Sequence, residues 1–479
     1  MKDIKQTDRR DFLQHSVLGA AGAGLAFAST TRAACGDEAE EKPCGPFDAD
    51  GAVTQKVDIL VVGGGSAGVV AAIQSARAGA RTVLVECGSQ LGGTTTTGGV
   101  SFPGLFHAHG KQVIKGIGWE LVEEAVRMNS DRLPDFTKPY GNNWSRGHSA
   151  HHIHVNRYLF AVLAEEKCTA AGVQLRYYET PVRATFDGVH WIVDVVGKGT
   201  LATIQCKQLL DCTGNAIVAQ MAGYNVLRSD VCQPGSMMFK LAGYDPKKLD
   251  MGLIQREYQK ALQAGTFKKE EYFGDIGRLL GTGHYTTEKN TFINHVHDAD
   301  STTSETHTST NIYGRDMLLR MLRFLRTLPG LEHTTIHSMC PETSIRETYR
   351  IDGLHQVTVE EYVDGKRYAD AVCNSFYPID LHDKAGVKPR QLQIGVVPAI
   401  PLRALIPKAS TNFLVAGRCA SSDQQANSAL RVQPSCMAMG QAAGAVAALA
   451  AQRSAAPLDV PLEDIRTTLR QHGAIVPSA

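Results

Sequence analysis

The stretch Val61–Glu86, VVGGGSAGVVAAIQSARAGARTVLVE, decides how the rest of the 479-residue chain is read. It is entered from VDILVVGG, a continuous apolar run of the kind a strand covered on both faces requires. AGVVAAIQSARAGA then reads as a small-residue helix stopped at Gly79, and RTVLVE as a second buried strand. Strand, turn, helix and strand in that order turn a weak glycine pattern into a strong one. Gly63 permits the tight turn, Gly65 lets a pyrophosphate approach the backbone, and Gly68 lets helix pack closely on strand. Ser66 and Ala67 open the helix, where backbone N–H groups and the helix dipole favour phosphate. Glu86 ends the second strand about 20 residues on, the place of an acid that binds ribose hydroxyls. An α/β fold holding a dinucleotide follows, with FAD and NAD both open at this point.

The next segment, CGSQLGGTTTTGGVSFPG, sets Gly92, Gly93, Gly98 and Gly99 around Thr94, Thr95 and Thr97, directly after the ribose-binding acid and Cys87. Here the chain resembles the glutathione-reductase-type FAD superfamily with two dinucleotide-binding domains. In that superfamily a second glycine-rich loop runs along the pyrophosphate and ribityl chain. The resemblance implies a Rossmann-like FAD-binding domain with a three-layer sandwich and an inserted α+β substrate domain, with FAD as the expected cofactor and NAD as the alternative.

Residues 171–223 alternate short runs as a meander does and return to a buried strand, QLLDCTG. The resemblance places Val182, Thr213 and Gly214 near the cofactor, although Asn215 stands where relatives often carry Asp. TNFLVAGRCASSDQQANSALRVQPSCMAMGQAAGAVAALAAQ, from Thr411, looks like the closing motif of a bacterial FAD-dependent oxidoreductase family in which Ala-Gly-Arg replaces Gly-Asp. It implies Gly417 and Arg418 at the ribityl or pyrophosphate. Gln441, Ala442 and Ala443 are expected at the flavin pyrimidine edge.

Cofactor-binding glycines say nothing about substrate, which must be met by the intervening residues. CPETSIRETYRIDG carries Arg346, Glu347 and Arg350, spaced to share a helix face or turn as an anion-holding clamp or an interdomain salt bridge. YPIDLHD offers Tyr377, Asp380 and His382; a His beside an Asp suits a general base that takes a hydroxyl proton while hydride leaves carbon. His382, Arg346, Tyr377 and Arg350 are therefore the catalytic candidates. His107, His109, His295, His297, Glu347, Asp380 and Arg431 are the candidate substrate contacts, and His107 or His109 is also placed for a covalent bond to flavin. The histidine-rich stretches GHSAHHIH and NHVHDADSTTSETH lack a recognised metal spacing, so no metal is assigned.

The remaining features bound the function. Lys and Arg at 49 against Asp and Glu at 48 leave a net charge of +1, so no global field favours nucleic acid or an anionic membrane. Arg9 and Arg10 precede a short weakly apolar run ending at Ala28, which reads as a twin-arginine export signal and not a membrane span. Of the 11 cysteines, Cys87, Cys212, Cys419 and Cys436 read as small packed residues, and Cys35 and Cys44 are close enough to pair. The expected organisation is a signal over 1–28, a linker over 29–55, FAD-binding segments over 56–105, 150–235 and 395–455, substrate-side segments over 106–149 and 236–394, and a tail helix over 456–479. The expected function is an exported oxidoreductase passing hydride between flavin N5 and a sugar-like polyol or organic acid, with an external electron acceptor. The alternative is a redox-neutral lyase, isomerase or glycoside-cleaving enzyme that oxidises its substrate transiently.

Overall fold

The computed structural model describes residues 53–138, 150–271, 276–280, 292–293, 295–383, 386–387 and 389–477. The export signal, Cys35, Cys44 and His148 lie outside the described residues. The expected first strand is β1 (Gln55–Val62), followed by helix α1 (Ser66–Arg77) and strand β2 (Thr82–Glu86). Helices α2 (Ile117–Met128) and α3 (Arg157–Ala170) come next, then β3 (Gln174–Tyr177) and the meander β4 (Thr180–Phe186), β5 (Trp191–Gly197) and β6 (Thr200–Asp211). These strands form one sheet in the order β3-β2-β1-β6-β5-β4. The members β3, β2, β1 and β6 run parallel, and the meander is antiparallel. Where β5 leaves β6, the short strand Phe413–Val415 takes over as a parallel partner of Leu209–Asp211.

Alternation along β1 makes this a three-layer sandwich. Ile59 and Val61 enter one core with the helices, whereas Leu60 and Val62 enter a second core with Trp191, Val193 and Phe413. All four side chains are essentially inaccessible, and each contributes about 1.5–3 kcal/mol by leaving water. A strand buried on both faces has no place for a polar residue, which is why the sequence shows none from Ile59 to Val62.

Between the meander and the closing motif, β7 (Met238–Ala242), β8 (Phe292–Ile293) and β9 (Thr335–Met339) pair antiparallel in the order β8-β7-β9. Helices α4 (Met251–Gln263), α5 (Ile276–Leu280) and α6 (Ser304–Leu325) accompany this sheet, and they share a core of Phe239, Ile254, Tyr258, Leu318 and Met321. Helix α6 runs ten residues ahead of the apolar-periodic stretch GRDMLLRMLRFL because Thr303 and Thr306 close a capping box at its N-terminus.

Helices α7 (Gln424–Leu430), α8 (Gln433–Arg453) and α9 (Leu462–Gln471) finish the chain. By length and composition α8 passes for a membrane span, but nearly all of it is buried inside the protein. It lies along α1 through glycines: a Cβ on Gly440 would strike Ala67 O, and one on Gly444 would strike Ala71 O. The same core takes in α2, with Ile117, Leu121 and Val122. Residues 117–128, expected on the substrate side, therefore belong to the helical layer. The tail forms the expected amphipathic helix α9, packed on α8 by Ile465 and Leu469.

Gly444→Val would force two backbones apart. We expect a stability loss of about 3 kcal/mol, at the upper end for overpacking because backbone cannot rotate aside as a side chain can. Urea unfolding followed by far-UV circular dichroism measures it.

Candidate functional site

The two glycine loops lie against each other at the C-terminal ends of β1 and β2. Gly92 N donates to Gly64 O at 2.8 Å, and Gly65 bridges to Gly92. Gly63 needs its missing side chain twice over: its φ is 99°, and a Cβ would lie 2.7 Å from Cys212 O. A Cβ on Gly68 would strike Gly63 O, so that glycine packs the helix on the turn as expected. Gly65 differs, because a Cβ there meets nothing within 4 Å. The protein leaves this space open at the first turn of α1, where no side chain caps the helix and no acid sits. That is a cradle for a phosphate, and Ser66 and Ala67 are its first helical residues. Glu86 faces the same turn: its carboxylate oxygens accept from Gly64 N at 2.6 Å and Gly88 N at 2.7 Å. With each oxygen held by one amide, further lone pairs remain for ribose hydroxyls.

The start of β4 passes beside this acid, since Tyr178 N donates to Gly88 O and Glu179 N to Glu86 O. Val182 follows on that edge strand and is half exposed. Cys87 is also exposed, contrary to the packed role expected of it, because β2 ends at Glu86 and the chain turns outward; Cys212, Cys419 and Cys436 are buried. Thr213 and Gly214 form the turn after β6, pinned by Asp211, whose carboxylate accepts from Thr213 N, Thr213 Oγ1, Val218 N and Ala219 N.

The threonine loop connects the cradle to α8. Thr95 Oγ1 donates to Gln433 Oε1 at 2.8 Å and lies 3.2 Å from Ser66 Oγ, while Gln433 Nε2 donates to Val100 O. Three remote segments thus meet at one buried point. Thr96 turns inward to Leu91 O, whereas Thr94 and Thr97 are part-exposed. Gly98 and Gly99 make room for protein: their Cβ atoms would strike Ser344 Oγ and Cys340 Sγ.

The closing helix corrects one expectation. It begins at Gln433, so Gln441, Ala442 and Ala443 lie about 12 Å along it at 1.5 Å per residue. Gln441 accepts from Ile117 N and donates to Gln74 Oε1 and His472 O, joining four helical segments, and both alanines are fully buried. The positive end of the dipole is instead at Gln433, Pro434 and Ser435. Gly417 has φ of 99°, and Arg418 is held by Gly214 O, Ile345 O and Asn215 Oδ1. Asn215 also accepts from Thr348 Oγ1 and donates to Ser301, so its amide ties together segments that an Asp could not bridge in this way.

A second cluster gathers beside the start of α8. The loop carrying Tyr377, Asp380 and His382 is fastened there by Ser375 Oγ and Ser435 Oγ, 2.7 Å apart, and to α7 by Asp380 N donating to Ser428 Oγ. His382 Nε2 lies 3.2 Å from Asp380 Oδ2, and His382 Nδ1 lies 3.0 Å from His295 Nε2. Arg431, at the end of α7, donates to Gln233 Oε1 and Asp380 O, and Arg346 donates to Pro234 O. His295, Arg346, Tyr377, Asp380, His382 and Arg431, drawn from four remote stretches, are brought together.

Arg350 and Glu347 belong to the support of this cluster. No helix forms there; Glu347 is buried and accepts from Arg350 at 3.2 Å, from Gln424 and from both Gln233 N and Nε2. Arg350 spends its other donors on Ser422 O and Ser229 Oγ. The pair is saturated by protein, so the expected catalytic role of Arg350 and substrate contact of Glu347 give way to positioning. Gln233, which also accepts from His382 N at 3.1 Å, was not singled out in the sequence, and neither were Gln424 and Gln433. Uncharged amides in a loop or at a helix start carry no spacing signal; only the Pro after Gln433 hints that a helix begins there.

Burial and then Arg346 push His382 down to about 4 and His295 down to about 2, so both imidazoles are neutral at pH 7. Burial opposes ionisation of Asp380, but the His382 hydrogen bond and the two arginines prevail and hold it at about 2. Burial and Asp380 raise the Tyr377 hydroxyl, which stays protonated. With an ionised Asp380, His382 Nε2 carries the proton and Nδ1 is the acceptor.

His107 stacks on Phe136 at 3.7 Å in an aromatic nest with Trp119, and burial pushes it down to about 4. His109 lies edge-on to Phe376, next to Tyr377 in sequence. His297 sits one ring away from His295 and contacts Glu270 O. His151 contacts Lys138 O, and His152 and His154 stand against Phe102.

Gly65→Asp sets a carboxylate at the open cradle, where its Cβ meets nothing within 4 Å. The expected outcome is loss of the 450 nm flavin band, read by absorbance on purified protein, with an unchanged far-UV circular dichroism spectrum.

Residues 58–469 match the family described as FAD dependent oxidoreductase. A segment of 90 residues, 19% of this chain and 17% of the relative, is 38% identical to pseudooxynicotine dehydrogenase of a Pseudomonas species. Among solved structures, OxyS anhydrotetracycline hydroxylase from Streptomyces rimosus is 14% identical with a TM-score of 0.42, over 88% of this chain and 66% of its own. A geranylgeranyl bacteriochlorophyll reductase-like protein from Thermoplasma acidophilum is 10% identical with a TM-score of 0.40, over 87% and 83%. Since the family match runs from β1 into α9 and the glycine cradle suits a dinucleotide, the chain belongs to the FAD-dependent oxidoreductases, with FAD as its cofactor.

Proposed function

We propose that the enzyme oxidises a hydroxyl-bearing carbon of a small polar substrate, a sugar-like polyol or an organic acid. The observation that carries this reading is the chain of contacts Asp380, His382 and His295 beside the start of α8. When bound, FAD supplies the two-electron acceptor. Asp380 orients His382 through Nε2 and balances the charge that the imidazole gains. His382 Nδ1 already accepts from His295 Nε2, so the hydroxyl proton enters at His295 as its Nε2 proton passes to His382 Nδ1. Tyr377, kept as a donor, and Arg346 bind and orient substrate oxygen, while the buried setting excludes water. The first turn of α8 directs its N–H groups toward the same region and favours negative charge there. The paired Arg9 and Arg10 support export by the twin-arginine route, which carries proteins already folded around a cofactor.

His382→Gln is expected to slow substrate-driven flavin bleaching by about 10²–10⁴-fold in anaerobic stopped flow, with flavin content unchanged. Acid protonates the imidazole and removes its acceptor, and His382 is held down to about 4. Bleaching should therefore persist below the usual histidine range and fall only as pH approaches that value. Replacing Arg9 and Arg10 with Lys is expected to retain the protein in the cytoplasm, checked by cell fractionation.

A further inference from the structure

We propose that the substrate is a short hydroxycarboxylate, its carboxylate held by Arg346 and Arg431 within a carbon or two of the carbon that is oxidised. This deepens the reading above and rests on the His382–His295 pair as proton acceptor.

The charges of the cluster do not balance. Arg346 and Arg431 bring two positive charges and Asp380 brings one negative charge, while both imidazoles are neutral. Glu347, the next acid, is already engaged by Arg350, Gln233 and Gln424. Arg418 behind the cluster bonds three neutral oxygens and adds to the excess. Among the described residues Arg346 makes no ion pair, and the hydrogen bond found for it goes to a carbonyl, Pro234 O. Arg431 reaches Asp380 Oδ2 only at 3.8 Å, and among the described residues its buried Nε has no hydrogen-bond partner. Burial and then Arg431 push the Arg346 guanidinium down to about 9, a mark of a cation short of a counter-charge.

An unpaired buried cation is costly, and an incoming anion removes that cost. Guanidinium groups match carboxylate oxygens by paired N–H donors, so a carboxylate restores the balance that a neutral sugar would leave unmet. The spacing limits the molecule's length. Arg431 and the Nε2 edge of the His382 ring both lie within 4 Å of Asp380 Oδ2, so a molecule of a few carbons spans from the arginine past that ring to the histidine pair. In the reaction the carbinol C–H bond breaks and its electron pair leaves as hydride to FAD. The O–H proton goes to the histidine pair, and the carbon–oxygen bond becomes the carbonyl of an oxo acid.

The test uses the oxidised holoenzyme at neutral pH, titrated with formate, lactate and glucuronate and with the uncharged counterparts formamide, lactamide and glucose. Thermal stability and the flavin absorption band are both followed. At least one carboxylate is expected to raise Tm and perturb the band where its counterpart does not. Arg346→Gln and Arg431→Gln are each expected to weaken that binding by about tenfold or more, and Arg346→Lys by less. The inference is overturned if no carboxylate binds, if the counterparts bind equally well, or if both variants keep wild-type affinity. It is also overturned if Arg346→Gln shifts the flavin midpoint potential with carboxylate affinities intact, because the charge then serves the cofactor. The wild-type selectivity decides the matter even where a variant fails to load flavin. A carboxylate that binds yet never bleaches the flavin upholds the anion site and removes the hydride reading. A neutral polyol that bleaches wild type and Arg346→Gln alike does the reverse.

Discussion

The contact of α8 with α1, backbone against backbone at Gly440 and Gly444, is the constraint on which the rest of the structure depends. Helices approach this closely only where no Cβ intervenes, and the approach sets where α8 starts as well as where it lies. Gln433 then falls beside Thr95 and Ser66, and Ser435 beside Ser375. One helix therefore closes the cofactor loop with its first residue and anchors the acid–base loop with its third. Loosening the contact would disturb cofactor and chemistry together.

The His382 cluster is arranged differently, by buried polar side chains that bond to one another. Glu347 accepts from Arg350, Gln424 and Gln233, and Gln233 passes the order on to His382 and Arg431. Buried polar groups of this kind specify geometry when fully satisfied, because any other arrangement leaves a donor or acceptor unmet. Glu347 and Arg350 meet that condition. Arg346 and Arg431 do not, and that contrast distinguishes the support from the proposed anion site.

Much of the cofactor half was legible in the sequence. Gly63, Gly65 and Gly68, the acid at Glu86 and the second glycine loop hold the expected places because local backbone geometry demands those residues at that spacing. His382 beside Asp380 was legible for the same reason, being two residues apart. Legibility failed where partners are remote in sequence. Gln441 was placed at the flavin by the resemblance of the closing motif, and the small-residue pattern of α8 does not show how far along the helix it lies. The Arg-Glu-x-x-Arg spacing announced an ion pair, and the pair formed, but the spacing carried no sign that Gln233 and Gln424 would saturate it.

By itself, then, the sequence determined the strand–turn–helix that holds the dinucleotide, the two-faced burial of β1 and the nearness of His382 to Asp380. These are short-range matters, decided by steric limits on the turn and by hydrophobic periodicity. Tertiary structure alone decided that His295, Arg346, Arg431 and His382 gather in one buried cluster, and that Glu347 pairs with Arg350 beside it. Those outcomes depend on which buried donors and acceptors find one another across more than a hundred residues, and that pairing is settled by the packed fold as a whole.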